Sequence, residues 1–162
     1  MERDRLNLCI ERFDHYYDSV NNKSAVFLAL GTFIVGGLIA GFPYLQQNVV
    51  CSPILYALLG MSLLLGIASF IIVLVASSPF LSKKGSSLFF FNSIALMDQE
   101  SFMKESEEYE EEKEINDQRE QVYFLAKGLR RKFRLLRLAG FFYGIVVLNM
   151  IPVVILIFLN VT

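Results

Sequence analysis

The chain has 162 residues, 54% of them hydrophobic, and a formal net charge of −1. That length allows one compact domain, and the near-neutral balance supplies no electrostatic footprint for nucleic acid. The charges are segregated: residues 24–82 and 138–162 contain no Asp, Glu, Lys, Arg or His. A water-soluble domain does not leave more than half its length uncharged, so the chain reads as an all-α membrane protein.

Residues 1–24 are polar and predict an N-terminal helix, apolar-faced over residues 6–20. A bilayer core of ~30 Å takes about 20 apolar residues as helix. The first such span is 25–45, and it holds a GxxxG from Gly37 to Gly41, with Gly31 and Gly36 nearby. Small residues let helices approach closely in lipid. Gly37 and Gly41 therefore mark either a subunit interface or packing against the second span, where Gly60 and Gly66 are also small. A short polar link, QQNVVCS, leads to the second span, 53–76. Ser52 suits its N-cap and Pro53 its first turn; Pro79 is expected to end it.

Residues 82–138 divide in three. Phe89, Phe90 and Phe91 follow Lys83 and Lys84, a pairing that suits either the headgroup layer or a short packed helix. Between Asp98 and Glu120 lie 11 acids against Lys104, Lys113 and Arg119. This run reads as a solvated helical face; no loop of alternating oxygen ligands supports a cation site, and no metal is expected. Beyond it, at ~100° per residue, Ile115, Val122, Leu125, Leu129, Phe133 and Leu136 share one stripe. Lys127, Arg130, Arg131, Arg134 and Arg137 share the opposite face. Without Gly–Pro punctuation the helix should run from residue 105 through the third span, 139–160, as an amphipathic stalk. The stripe must be covered, by the N-terminal helix or by a second subunit. The basic face fits anionic headgroups or an anionic ligand held by forked guanidinium donors. Pro152 inside the third span predicts a kink.

All Lys and Arg lie before the first span or between the second and third. The positive-inside rule then puts the N-terminus and central segment in the cytoplasm, and the short link and C-terminus outside. Three spans require opposite sides for the two ends, which agrees. Cys9 and Cys51 fall on opposite sides, so no disulfide is expected, and no signal peptide is recognisable. One histidine, His15, and no phosphate-binding, zinc-protease or nucleophile-elbow motif argue against an enzyme. No ionisable group lies within a span, which disfavours an ion-coupled transporter.

Several features occur together in order: Lys23-Ser24-Ala25 at the entry to the first span; Leu88-Phe89-Phe90-Phe91, then Ile94-Ala95; Asp117, Gln121 and Leu125; and Lys132-Phe133-Arg134 with Leu136-Arg137 leading through Ala139. In this order and span arrangement the chain resembles the Pycsar effector domain family of small bacterial membrane proteins. Asn21 departs from it, standing where the family typically has an acid. The resemblance implies an antiphage effector of the inner membrane, triggered by a cyclic pyrimidine nucleotide (cCMP or cUMP) that a partner pyrimidine cyclase makes. It implies membrane impairment and abortive infection as the outcome, and no cofactor beyond that ligand. The candidate ligand residues are Lys23, Asn92, Lys127, Arg130, Arg131 and Arg134, in a homo-oligomer. The competing reading is a non-enzymatic membrane adaptor whose stalk docks a cytosolic partner; a constitutive small channel is a third.

Overall fold

The computed structural model describes residues 1–50, 52–78 and 87–160. Cys51, Pro79, Lys83 and Lys84, each singled out above, lie outside the described residues. The elements are helices: α1 Glu2–Asn48, α2 Pro53–Ser77, α3 Phe91–Ala95, α4 Gln99–Glu107 and α5 Glu111–Asn160. Three of them, α1, α2 and α5, are long and apolar enough to cross a membrane.

The N-terminal helix and first span are one uninterrupted helix, α1. The polar stretch Asn21-Asn22-Lys23-Ser24 contains neither Gly nor Pro. Ser24, buried, donates its hydroxyl to the Val20 carbonyl at 2.9 Å, so the helix absorbs it. The long helix does not begin at residue 105. α4 ends at Glu107, and α5 starts at Glu111. An unbroken helix would set Glu107 over Glu111 and Glu108 over Glu112, like charges four residues apart, which is unfavourable. The break instead places Glu111, Glu112 and Glu114 in the first turn of a new helix, where carboxylates are stabilised. α4 has its own start signal: Asp98 accepts from the Ser101 amide at 2.9 Å and its hydroxyl at 2.7 Å.

The chain forms two units. The first comprises Met1–Ser19 and the described part of Pro79–Arg131; the second comprises Val20–Ser78 and the described part of Lys132–Thr162. α1 and α5 contribute to both.

In the first unit the N-terminal part of α1 lies against α5. Leu6 is buried, and the Tyr17 hydroxyl donates to the Leu125 carbonyl at 3.0 Å. Within this unit Leu129 of the α5 stripe is buried, and Ile115, Val122 and Leu125 are half-buried.

In the second unit α2 and α5 run antiparallel. Ser69 Oγ donates to the Ala139 carbonyl at 3.3 Å, Asn149 Nδ2 to Ser62 Oγ at 2.6 Å, and the Val50 amide to the Asn160 carbonyl at 3.1 Å. As the α2 number falls the α5 number rises. Ser52 caps α2, accepting from the Leu55 amide at 3.3 Å, with Pro53 in the first turn. Val49, Leu55, Leu59 and Val153 form a buried apolar cluster near that end. Pro43 and Pro152 sit inside α1 and α5 without ending them. Each removes one backbone donor from its helix. Leu64, Ile71, Phe158 and Leu159 are exposed, as side chains facing lipid would be.

Candidate functional site

The first unit is tied together by polar contacts on α5. Arg119 grips Glu2 through both carboxylate oxygens, Nε to Oε1 at 2.9 Å and Nη2 to Oε2 at 2.8 Å. Its third nitrogen, Nη1, donates to Asn116 Oδ1 at 2.7 Å. The Arg119 guanidinium holds the Glu2 carboxyl below its ordinary range. Arg3 pairs with Glu114 alongside. Asp117 accepts from the Ser87 hydroxyl at 2.8 Å and the Tyr109 hydroxyl at 3.2 Å, pinning the segment before α3 and the break before α5 to one carboxylate. Burial, reinforced by the Asp117 charge, pushes the Tyr109 phenol up to about 12. Gln118 is buried at 3% exposure, and its Oε1 has no hydrogen-bond partner; Gln121 Oε1, one turn on, has none either.

Asn92, Lys127, Arg130 and Arg131 lie in the first unit, and Lys23 and Arg134 in the second. Lys127, Arg130 and Arg131 are exposed, on the face opposite the buried stripe as their spacing requires. Lys127 Nζ sits 5.8 Å from the Tyr123 ring centroid. Among the described residues Arg130 and Arg131 make no ion pair, so their guanidinium donors face solvent. Asn92 is half-buried on α3, beside the buried Ser93. In the second unit Arg134 is exposed, and Lys23 Nζ lies 5.8 Å from the centroid of Phe133.

Phe133, assigned to the buried stripe, is 36% exposed and serves that contact instead. The stripe holds two polar residues that apolar identity alone passes over, Gln118 and Lys132, both buried. At ~100° per residue Gln118 falls near its centre, beside Leu129 and Leu136, and Lys132 lies about 20° beyond its Leu125 edge, so rotation rather than residue type was the available signal. Burial lowers the Lys132 ammonium below the usual lysine range.

The glycines sort by contact. A Cβ at Gly31 would collide with the Tyr143 hydroxyl, at Gly66 it would meet Val35, and at Gly140 it would meet Phe27. At Gly37 and Gly41 a Cβ would meet nothing within 4 Å. The close approaches inside one chain are thus at Gly31, Gly66 and Gly140, and the GxxxG pair faces open space. Among the described residues no cluster of His, Cys, Asp or Glu could hold a metal ion.

No curated protein and no solved structure matches the chain. The family model of the Pycsar effector protein domain matches residues 5–160, taking in all three membrane-length helices and both units. The chain therefore belongs to the Pycsar effector protein domain family.

Proposed function

We propose that this member of an antiphage-defence effector family is a non-enzymatic inner-membrane protein. A cyclic pyrimidine nucleotide, cCMP or cUMP, triggers it, and it then impairs the membrane, so that the infected cell stops growing. In this reading the N-terminus and first unit are cytoplasmic and the short α1–α2 link is outside, because every Lys and Arg lies on one side of the spans. The observation that carries the proposal is the exposed row Lys127, Arg130, Arg131 and Arg134 on α5, the helix that also supplies the third span. Unpaired guanidinium groups are suited to grip a cyclic phosphate through two parallel donors. The protein acts as a homo-oligomer, with Gly37 and Gly41 at the contact between copies.

The test is dye leakage from liposomes carrying the purified full chain. Leakage is expected with cCMP or cUMP and not with cAMP or cGMP. Intact liposomes under every nucleotide overturn the proposal. The adaptor reading rests on α4, which buries none of its residues and presents an acidic surface. It predicts instead a cytosolic protein that co-purifies stably, with no permeability change.

A further inference from the structure

In the first unit the side chains of α5 are sorted by rotation, apolar ones inward and charged ones toward solvent. Tyr123 breaks that sorting. Of the large hydrophobic side chains between Glu111 and Arg131 it alone is exposed, at 61%. At ~100° per residue it falls inside the arc of about 100° spanned by Arg130, Lys127 and Arg131. Lys127 Nζ stands 5.8 Å from its ring centroid. Phe124 meets the ring at 74°, with centroids 5.6 Å apart, so it does not stack upon it. An open aromatic ring thus sits among three cations that form no ion pair among the described residues.

The ring lies beyond the reach of lipid headgroups. Sixteen residues of α5 separate Tyr123 from Ala139, where the third span begins, which is about 24 Å of helix. The headgroup layer on one side of a bilayer is only about 5 to 8 Å thick. An aromatic anchor belongs at that layer, so a ring this far along the helix serves a partner in water. Its neighbours set the chemistry of that partner. The cationic donors suit a phosphate, and an open ring face suits a flat π-bearing group. A nucleotide carries both. Side chains of a helix lean toward its N-terminus, so Arg130 and Arg131 lean back toward Tyr123 along α5.

We propose that Tyr123 is the platform on which the base of the triggering nucleotide stacks, with the cyclic phosphate against Lys127, Arg130 and Arg131. Lys127 leaves the ring face for the phosphate as the base takes its place. The proposal rests on the nucleotide-triggered function above and adds which residue holds the base. Stacking tolerates any base, so Tyr123 supplies affinity for a base and leaves the choice among bases to contacts elsewhere.

The chain contains no Trp, so Tyr123→Trp puts a single indole at the platform. The full chain with Tyr123→Trp, in phosphatidylcholine liposomes, is titrated with cCMP, cUMP and ribose 5-phosphate. Saturable quenching of the indole by cCMP or cUMP is expected, and none by ribose 5-phosphate. Tyr16→Trp, at an exposed position of α1, should not respond. In the leakage assay Tyr123→Ala should raise the half-maximal nucleotide concentration roughly tenfold. Tyr123→Phe, which keeps the ring, should recover most of that loss. Leakage at wild-type nucleotide sensitivity in Tyr123→Ala overturns the platform and leaves the function standing. Saturable quenching with no leakage in any nucleotide keeps the platform and overturns the function, and the absence of both signals overturns both. Equal quenching by ribose 5-phosphate overturns the platform. So does a blue shift of the indole on adding phosphatidylglycerol without nucleotide, which would make the ring a headgroup contact.

Discussion

Arg119 and Glu2 meet through two parallel hydrogen bonds although 117 positions separate them in the chain. This contact fastens the start of α1 to α5, and it titrates. Glu2 has a folded-state carboxyl held below its ordinary value of 4.5 by the hydrogen bond from Arg119, so the unfolded chain takes up a proton first as pH falls. The contact's contribution is complete above about pH 4.5 and disappears as pH drops through the lowered value. Melting curves in detergent from pH 7 to pH 3 should show this loss in the wild type. Glu2→Gln should lower the melting temperature slightly at pH 7 and remove that part of the pH dependence. Identical pH profiles for the two proteins would count against the assignment.

Asn149 bridges α5 to α2 by two hydrogen bonds. Interhelical hydrogen bonds of this kind contribute about 0.6 to 2 kcal/mol in membranes. Asn149→Leu should therefore lower thermal stability by about 1 kcal/mol or more, and Asn149→Gln should recover only part of it. An unchanged melting temperature for Asn149→Leu would mean that the bridge contributes nothing.

Gly31 and Gly37 are both glycines of the first span, yet they should behave oppositely. Gly31→Ala drives a methyl group into the Tyr143 hydroxyl, an overpacking that costs about 1 to 3 kcal/mol. Gly37→Ala meets nothing within the chain, so the melting temperature of an isolated copy should hold. Its effect should appear in cross-linking between copies, which is the measurement to make. Equal losses of stability at both positions would refute this distinction.

Arg131→Ala combined with Arg134→Ala should weaken nucleotide-triggered leakage while the protein still inserts. Each charge-assisted hydrogen bond contributes about 1.5 to 3 kcal/mol, so the nucleotide concentration for half-maximal leakage should rise at least tenfold. Arg131→Lys should restore it incompletely, because an ammonium does not supply the guanidinium fork. Wild-type sensitivity in the double variant would move the ligand away from these arginines.

The uncharged stretches, Pro53 and Ser52 made the second span legible to within a residue, because length and capping are local. The start of α5 was harder to read. It depends on the balance of repulsion among Glu107, Glu108, Glu111 and Glu112 against the favourable end of a new helix, which residue spacing alone does not resolve. The basic face was legible through its period. Gln118 and Lys132 were missed because a stripe defined by apolar residues omits a polar one at its centre, as Gln118 is, or just past its edge, as Lys132 is. The bonds from Asn149 to Ser62 and from Ser69 to the Ala139 carbonyl were not legible at all: serines look like ordinary span residues until the antiparallel register of α2 and α5 pairs them.

The bond from the Val50 amide to the Asn160 carbonyl has a consequence for the order of assembly during synthesis. Translation delivers α1 and α2 well before residue 160. Until α5 arrives, Val50, Ser62 and Ser69 lack the partners they have in the finished protein. The newborn hairpin is chemically incomplete, and the arrival of α5 closes it.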